Sequence, residues 1–371
     1  MPAETPPLAH RPVSSGPPVS PSPSAPPAPH RRTRTLHLAA AIDGREQHTA
    51  DQAADYYVEL ARLAERGALD FVTLSGCAGA ELDTLDTLAV LARVVPATDR
   101  IGVVPALAAA GGTPAELARS VATLDRVSQG RAGWTVTAPD DDEAAGRNAG
   151  RNAVRNPGRG AAARRQAAER SEERWGRAGR VAEEVGHAWD GGGPYSPQGR
   201  PVIAVDITEP AARAVAARHA DIAFVRATRK EQADRARSEL RWLTSDAGRD
   251  PDRLLVLGEL TVELGGGELG REAGTVPVPE PDGAGGALFR GGPVDLAELV
   301  ADWHRSGAVD GFHVRPAEPR RDLERFVNGT AALLQHRGLF RSFHPGATLR
   351  EHLGLRGPVG SRLAVPRGAM P

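Results

Sequence analysis

"DQAADYYVELARLAERGALDFVTLSG", Asp51–Gly76, decides the fold. Its first part, Asp51–Arg66, carries apolar residues at helical spacing and stops at Gly67, a residue that closes helices. "FVTL" follows with no polar alternation, so both faces of this strand are expected to be covered. It ends on Ser75 and Gly76, small residues where the strand would open onto something. An amphipathic helix leading into a fully apolar strand is the unit from which helix-covered parallel sheets are built.

The unit recurs in both directions along the chain. "LHLAAAI" (Leu36–Ile42) is an apolar run before it. Downstream, "LDTLAVLARVV" is helical and stops at Pro96, and "IGVVPALA" is a strand. "TPAELARSVATLDRVS" starts a helix with Thr113 as N-cap, Pro114 in the first turn and Glu116 at the capping-box position. "AGWTVT" is the next strand. A polar stretch from Ala138 to about Glu169 is expected to be a long loop, with a helix from Ser171 to Asp190. "PVIAVDI", "DIAFV", "RLLVLGELTVEL" and "DGFHVRP" complete the strands, each followed by a helical segment, with a Gly/Pro-rich gap after the third of these. Eight strand-then-helix units in order predict an α/β fold of the (β/α)8 TIM-barrel type. A doubly wound open sheet is the alternative, weakened because no G-x-G-x-x-G follows the first strand. In a barrel the site lies at the C-terminal strand ends, here Ser75, Gly76, Pro105 to Ala110, Thr135 to Ala138 and Asp206 to Glu209.

The barrel is expected over 35–355. Residues 1–34 form a Pro/Ser/Ala-rich segment, "PPVSPSPSAPPAP" at its centre, expected to be a disordered tail, and 356–371 a flexible C-terminal one. The formal net charge of −1 gives no general attraction to nucleic acid or to an anionic membrane. Aromatics are only 4%, so Ala, Val and Leu must build the core. Cys77 is the single cysteine, which excludes an internal disulfide and a cysteine-based metal site. No apolar run approaches the ~20 residues of a membrane span. Arg31 and Arg32 faintly match a twin-arginine export signal, yet the apolar run after them is short and closed by Asp43, so a cytoplasmic location is expected. His37 reads as a packed or rim histidine; His187, His219 and His304 lie on helices. The acidic run Asp140–Glu143 reads as a solvated loop. The arginine-rich stretch Arg147–Arg174 lacks the interleaved aromatics of nucleic-acid binders. No histidine and carboxylate spacing suggests a metal site, and no G-x-S-x-G, P-loop or H-E-x-x-H motif occurs.

At the strand ends the chain resembles a known family. "YYVELARLAERGALDFVTLSG", "LARSVATLDRVSQGRAGWTVT", "GRNAG", "PQGRPVIAVDITEPAARAVAARHADIAF", "GRDPDRLLVL" and "RGLFRSFHPGATLREHLGL" follow one another as in the bacterial-luciferase-like flavin monooxygenases. The closest branch contains nitrilotriacetate monooxygenase, pristinamycin synthase and dibenzothiophene-sulfone monooxygenase. The resemblance spans about Leu36 to Leu355. It implies a barrel that takes reduced FMN from a separate flavin reductase and uses O2 to oxygenate a small organic substrate, and a homodimer is the expected assembly. Position by position, it places the cofactor contacts at Gly76, Ala106, Thr135, Asn148, Ser171, Trp175, Thr208 and Glu209. Several depart from the family pattern. Gly76 stands where an Asp is usual, Thr135 where an Asn is usual, and Ser171 and Trp175 where His and Tyr are usual. The Gly-Ser-Ser at the head of the fifth helix reads Ile207, Thr208 and Glu209, so a carboxylate is expected close to the flavin phosphate. These departures also allow a different class of function, a flavin-site-degenerate barrel acting as a non-catalytic binding or partner subunit. No catalytic residue is assigned.

Overall fold

The computed structural model describes residues 34–43, 50–75, 87–109, 112–138, 160–265, 267, 278–283 and 285–355. The expected tails lie outside these residues apart from Arg34. All the other described residues belong to one compact unit that begins at Thr35.

The strands and helices alternate along the chain. They are β1 (His37–Ala41), α1 (Ala50–Arg66), β2 (Phe71–Leu74), α2 (Thr87–Val94), β3 (Gly102–Ala108), α3 (Pro114–Val127) and β4 (Gly133–Thr137). Then come α4 (Gly160–Asp190), β5 (Val202–Asp206), α5 (Pro210–His219), β6 (Ile222–Arg226), α6 (Lys230–Asp246) and β7 (Leu255–Glu263). A short pair, β8 (Glu280–Pro281) and β9 (Ala287–Arg290), precedes α7 (Pro293–Ser306) and β10 (Gly311–Pro316). The last described elements are α8 (Pro319–Arg325), which runs through a π turn into α9 (Ala332–His336), and α10 (Leu349–His352).

Strands β1 to β7 pair in parallel and in order, and β10 pairs in parallel with both β7 and β1. That double pairing closes an eight-stranded barrel and rules out the open sheet. At the closing seam Gly311 lies so close to β1 that a Cβ would collide with the His37 carbonyl oxygen. Any side chain there would push the seam apart.

The strands bury both faces, which is why they read as unbroken apolar runs. Outward residues such as Leu38, Val72, Trp134, Ile203, Val256 and Phe312 pack under the helices. Inward residues Ala39, Phe71, Val104, Ala204, Phe224 and Leu257 form a second cluster with Leu349, Leu353 and Leu355, so α10 and the residues after it close the N-terminal end of the barrel. The Thr113–Glu116 capping box forms: Thr113 Oγ1 accepts from the Glu116 N–H at 3.3 Å, and Glu116 Oε2 accepts from the Thr113 N–H at 2.9 Å.

Two segments differ from expectation. Helix α4 begins at Gly160, not Ser171, so the expected loop ends earlier. Its first turns, "GAAARRQAAER", are rich in the helix formers Ala, Arg, Gln and Glu and carry no apolar stripe in sequence. The Gly/Pro-rich gap before α7 holds the antiparallel pair β8–β9, and β9 adds in parallel to the end of β7 outside the barrel.

Candidate active site at the barrel mouth

Several inward positions at the C-terminal strand ends are polar, in contrast to those below. Register puts Glu259 of β7 beside His313 of β10 on one side and Arg226 of β6 on the other. Their side chains join in a line across the barrel. Thr73 Oγ1 lies 2.8 Å from His313 Nε2, and His313 Nδ1 lies 2.9 Å from Glu259 Oε2. Glu259 Oε1 accepts from Arg226 Nε at 2.7 Å, and Arg226 Nη2 reaches Asp206 Oδ2 at 2.7 Å. Asp206 Oδ1 accepts from the Thr208 N–H at 2.9 Å and from its hydroxyl at 2.5 Å. The His313 ring packs on Phe224, with centroids 4.6 Å apart, and lies parallel to Phe71. Both neighbours fix its orientation.

Electrostatics separate the two carboxylates that share Arg226. Burial pushes Glu259 up, but hydrogen bonding and charge from His313, with Arg226 and Arg315, outweigh it and hold the group at about 2. Glu259 is therefore an anion, an acceptor only, and His313 Nδ1 must be the donor toward it. Burial raises Asp206, reinforced by repulsion from Glu259 and opposed by Arg226 and Thr208. Asp43, just after β1, is a second raised carboxyl: burial dominates over Arg315, at 3.0 Å, and the Ser75 N–H, at 2.7 Å. Asp206 is half buried at the strand end, with both carboxylate oxygens engaged by Thr208 and Arg226.

The expected cofactor contacts fall into separate groups. Gly76 and Asn148 lie outside the described residues, as does the acidic run Asp140–Glu143. Ala106 is half buried on β3, in register with Thr135 of β4, which is in register with Ala204 of β5. Flanked by two alanines, the Thr135 hydroxyl is buried and has no hydrogen-bond partner among the described residues. Trp175 of α4 is also buried, with its indole N–H unpartnered among them. It packs in the helix–sheet layer. Ser171 and Glu209 do come together. Glu209 is the N-cap of α5, and its carboxylate accepts from the Ser171 hydroxyl and from Arg174 Nη2 at 2.6 Å. The carboxylate expected to oppose a phosphate is thus compensated by an arginine one residue before Trp175. The Thr208 hydroxyl donates to Asp206.

Sequence reasoning missed Thr73, Arg226, Glu259 and His313. A signal was present: polar residues at inward parity within otherwise apolar strands, Glu259 and Thr261 in "VLGELTV" and His313 and Arg315 in "GFHVRP". His37 is at the other end of the barrel, buried against Asp70 at 3.1 Å. Among the described residues no cluster of three or more His, Cys, Asp or Glu forms a metal site, and no helix is long and apolar enough to cross a membrane.

The luciferase-like monooxygenase family model matches residues 35–265, more than half of the chain. Dibenzothiophene-sulfone monooxygenase of Rhodococcus erythropolis (strain XP) is 26% identical over 88% of this chain and 98% of its own length. Nitrilotriacetate monooxygenase component A of Aminobacter aminovorans is 24% identical over 82% of this chain and 91% of its own. Among solved structures, EDTA monooxygenase (EmoA) from Chelativorans sp. BNC1 superposes with a TM-score of 0.69 at 19% identity, covering 87% of this chain and 99% of that one. Long-chain alkane monooxygenase (LadA) gives a TM-score of 0.69 at 18% identity, covering 88% and 97%. With a closed barrel whose polar mouth lies at the strand ends and a family match from the first strand through the seventh, the chain belongs to the luciferase-like monooxygenases.

Proposed function

We propose that this flavin-dependent monooxygenase accepts reduced FMN from a separate reductase and oxygenates a small organic substrate with O2 at the barrel mouth. The observation that carries the reading is the buried, unpartnered Thr135 hydroxyl between Ala106 and Ala204. An unpaired buried hydroxyl costs about 1–3 kcal/mol, which a ligand carbonyl or ring nitrogen would recover. The two alanines leave room on either side for a flat ring system. When bound, reduced flavin supplies the electrons that activate O2. The chain's own residues do the rest. Thr135 would hold the ring system. Phe71 and Phe224 keep water from the barrel below it. The Glu259–Arg226 pair fixes the Asp206 carboxylate at the rim, where it and Thr208 would orient the substrate.

The test supplies the full chain with a flavin reductase, NADH and FMN under labelled O2, across small sulfur, amine and polycarboxylate compounds. One labelled oxygen atom in a product, lost in Thr135→Val, supports the reading. Flavin consumption that only yields hydrogen peroxide with every compound argues against the substrate classes tried.

A second reading, a barrel that binds a partner without catalysis, is favoured by one feature. Ser171 and Arg174 are both engaged by Glu209, and Thr208 by Asp206, so the donors expected at a phosphate are already engaged. Absence of saturable binding of FMN in either oxidation state would favour this reading over the first.

A further inference from the structure

A cavity of about 310 Å³ lies at the opposite end of the barrel, where β5, β6 and β7 begin. Five guanidiniums line it, those of Arg200, Arg218, Arg249, Arg253 and Arg350, against the carboxylates of Asp221 and Asp250, a surplus of three positive charges. The carboxylates are already engaged. Asp221 takes two hydrogen bonds from Arg350, each 3.1 Å, and one from the Ile203 N–H. Asp250 caps the short turn that leads into β7. Asp190 approaches Arg200 at 3.5 Å. Arg249 donates to the carbonyls of Ala217 and Ala220 at the end of α5, each at 2.8 Å, and meets no carboxylate among the described residues. The side chains of Arg218 and Arg253 make no hydrogen bond or ion pair among the described residues.

The neighbourhood registers this surplus. Burial lowers the Arg249 guanidinium, with Arg200, Arg253 and Arg350 adding to the effect against Asp221. Burial, together with Arg249, Arg200 and Arg218, holds His219 at about 4 against the pull of Glu183, so it stays neutral at physiological pH. Like charges gathered in one recess cost free energy unless an anion joins them. Guanidiniums held as forks around a cavity match phosphate oxygens in geometry as well as charge.

We propose that this cavity binds a phosphorylated small molecule carrying at least two negative charges, at a site separate from the barrel mouth. Arg218 and Arg253 are its free donors. Arg249 and Arg350, fixed by helix carbonyls and by Asp221, form its preorganised wall.

The probe is inorganic pyrophosphate, titrated calorimetrically into the full chain at constant ionic strength, with inorganic phosphate and sodium chloride as comparisons. One saturable site is expected, tighter for pyrophosphate than for phosphate and unaffected by chloride. Arg218→Gln with Arg253→Gln weakens it about tenfold or more, the loss of two charge-assisted contacts. Both side chains lack protein partners among the described residues and add to the like-charge repulsion, so the ligand-free melting temperature of the variant is not below that of the wild type. Thr208→Val, which removes a hydroxyl at the phosphate position expected in the mouth, binds pyrophosphate normally. No saturable binding, binding equal in the double arginine variant, or loss in Thr208→Val would each overturn the assignment, the last by placing the anion at the mouth.

Discussion

Replacing Glu259 by Gln tests how the polar line is held. The two side chains have the same shape, and Glu259 is only 4% exposed, so packing is kept and the charge alone is removed. The group is depressed from 4.5 to about 2 in the folded chain, a difference worth about 3 kcal/mol at neutral pH by the linkage between proton affinity and stability. One hydrogen bond can be rescued: if the new amide faces His313, the ring can switch tautomer, accept at Nδ1 and donate from Nε2 to Thr73. Arg226 keeps Asp206 but loses its buried anion, and leaving one member of such a pair is the costly case. For a barrel of this length, 3 kcal/mol corresponds to a fall in melting temperature of roughly 4–6 °C. The sign with pH follows from the depression. The contribution is fully present above 4.5 and is lost as pH falls toward about 2. Thermal melts followed by circular dichroism should therefore show a gap between wild type and variant at pH 7 that narrows on acidification. An equal melting temperature at pH 7, or a gap that widens in acid, would refute the assignment of Glu259 as the stabilising anion.

Burial holds His219 and His352 at about 4, helped at His352 by His344 and at His219 by the surrounding arginines. Both are neutral in the fold and take up a proton on unfolding below 6.5, so their stability is complete above 6.5 and lost as pH falls through that value to about 4. Urea unfolding at pH 7 and pH 5 should show the loss, and a double substitution to Gln should flatten it; an unchanged slope counts against the burial argument. Glu209→Ser releases Ser171 and Arg174, so it should tighten FMN binding while leaving riboflavin unchanged. Equal effects on both flavins, or none, would show that the phosphate lies elsewhere.

The barrel was legible because parallel strands covered on both faces are mainly apolar, and the barrel strands carry that mark, interrupted by a few polar residues near their C-terminal ends. Helix α4 was harder: its first turns are rich in alanine, arginine and glutamine, which leaves no periodicity to read. The β8–β9 pair hides in glycine and proline. At the site, location was legible from the strand ends, but partnership was not. Glu259 and His313 are 54 residues apart, and Thr73 and His313 are 240 apart. Only barrel closure puts them in one layer. The compensation of Glu209 by Arg174 was hidden for the same reason, since α4 and α5 meet only in three dimensions.

The most direct measurement of the central claim, that flavin binds at the barrel mouth, is an anaerobic titration of the full chain with reduced FMN, beside Ala106→Trp. Ala106 is half buried at the end of β3 and in register with Thr135, so an indole there fills the mouth while the N-terminal core below stays intact. The account predicts one saturable site per chain in the wild type and none in the variant, with unchanged circular dichroism. Undiminished flavin binding by Ala106→Trp would contradict it.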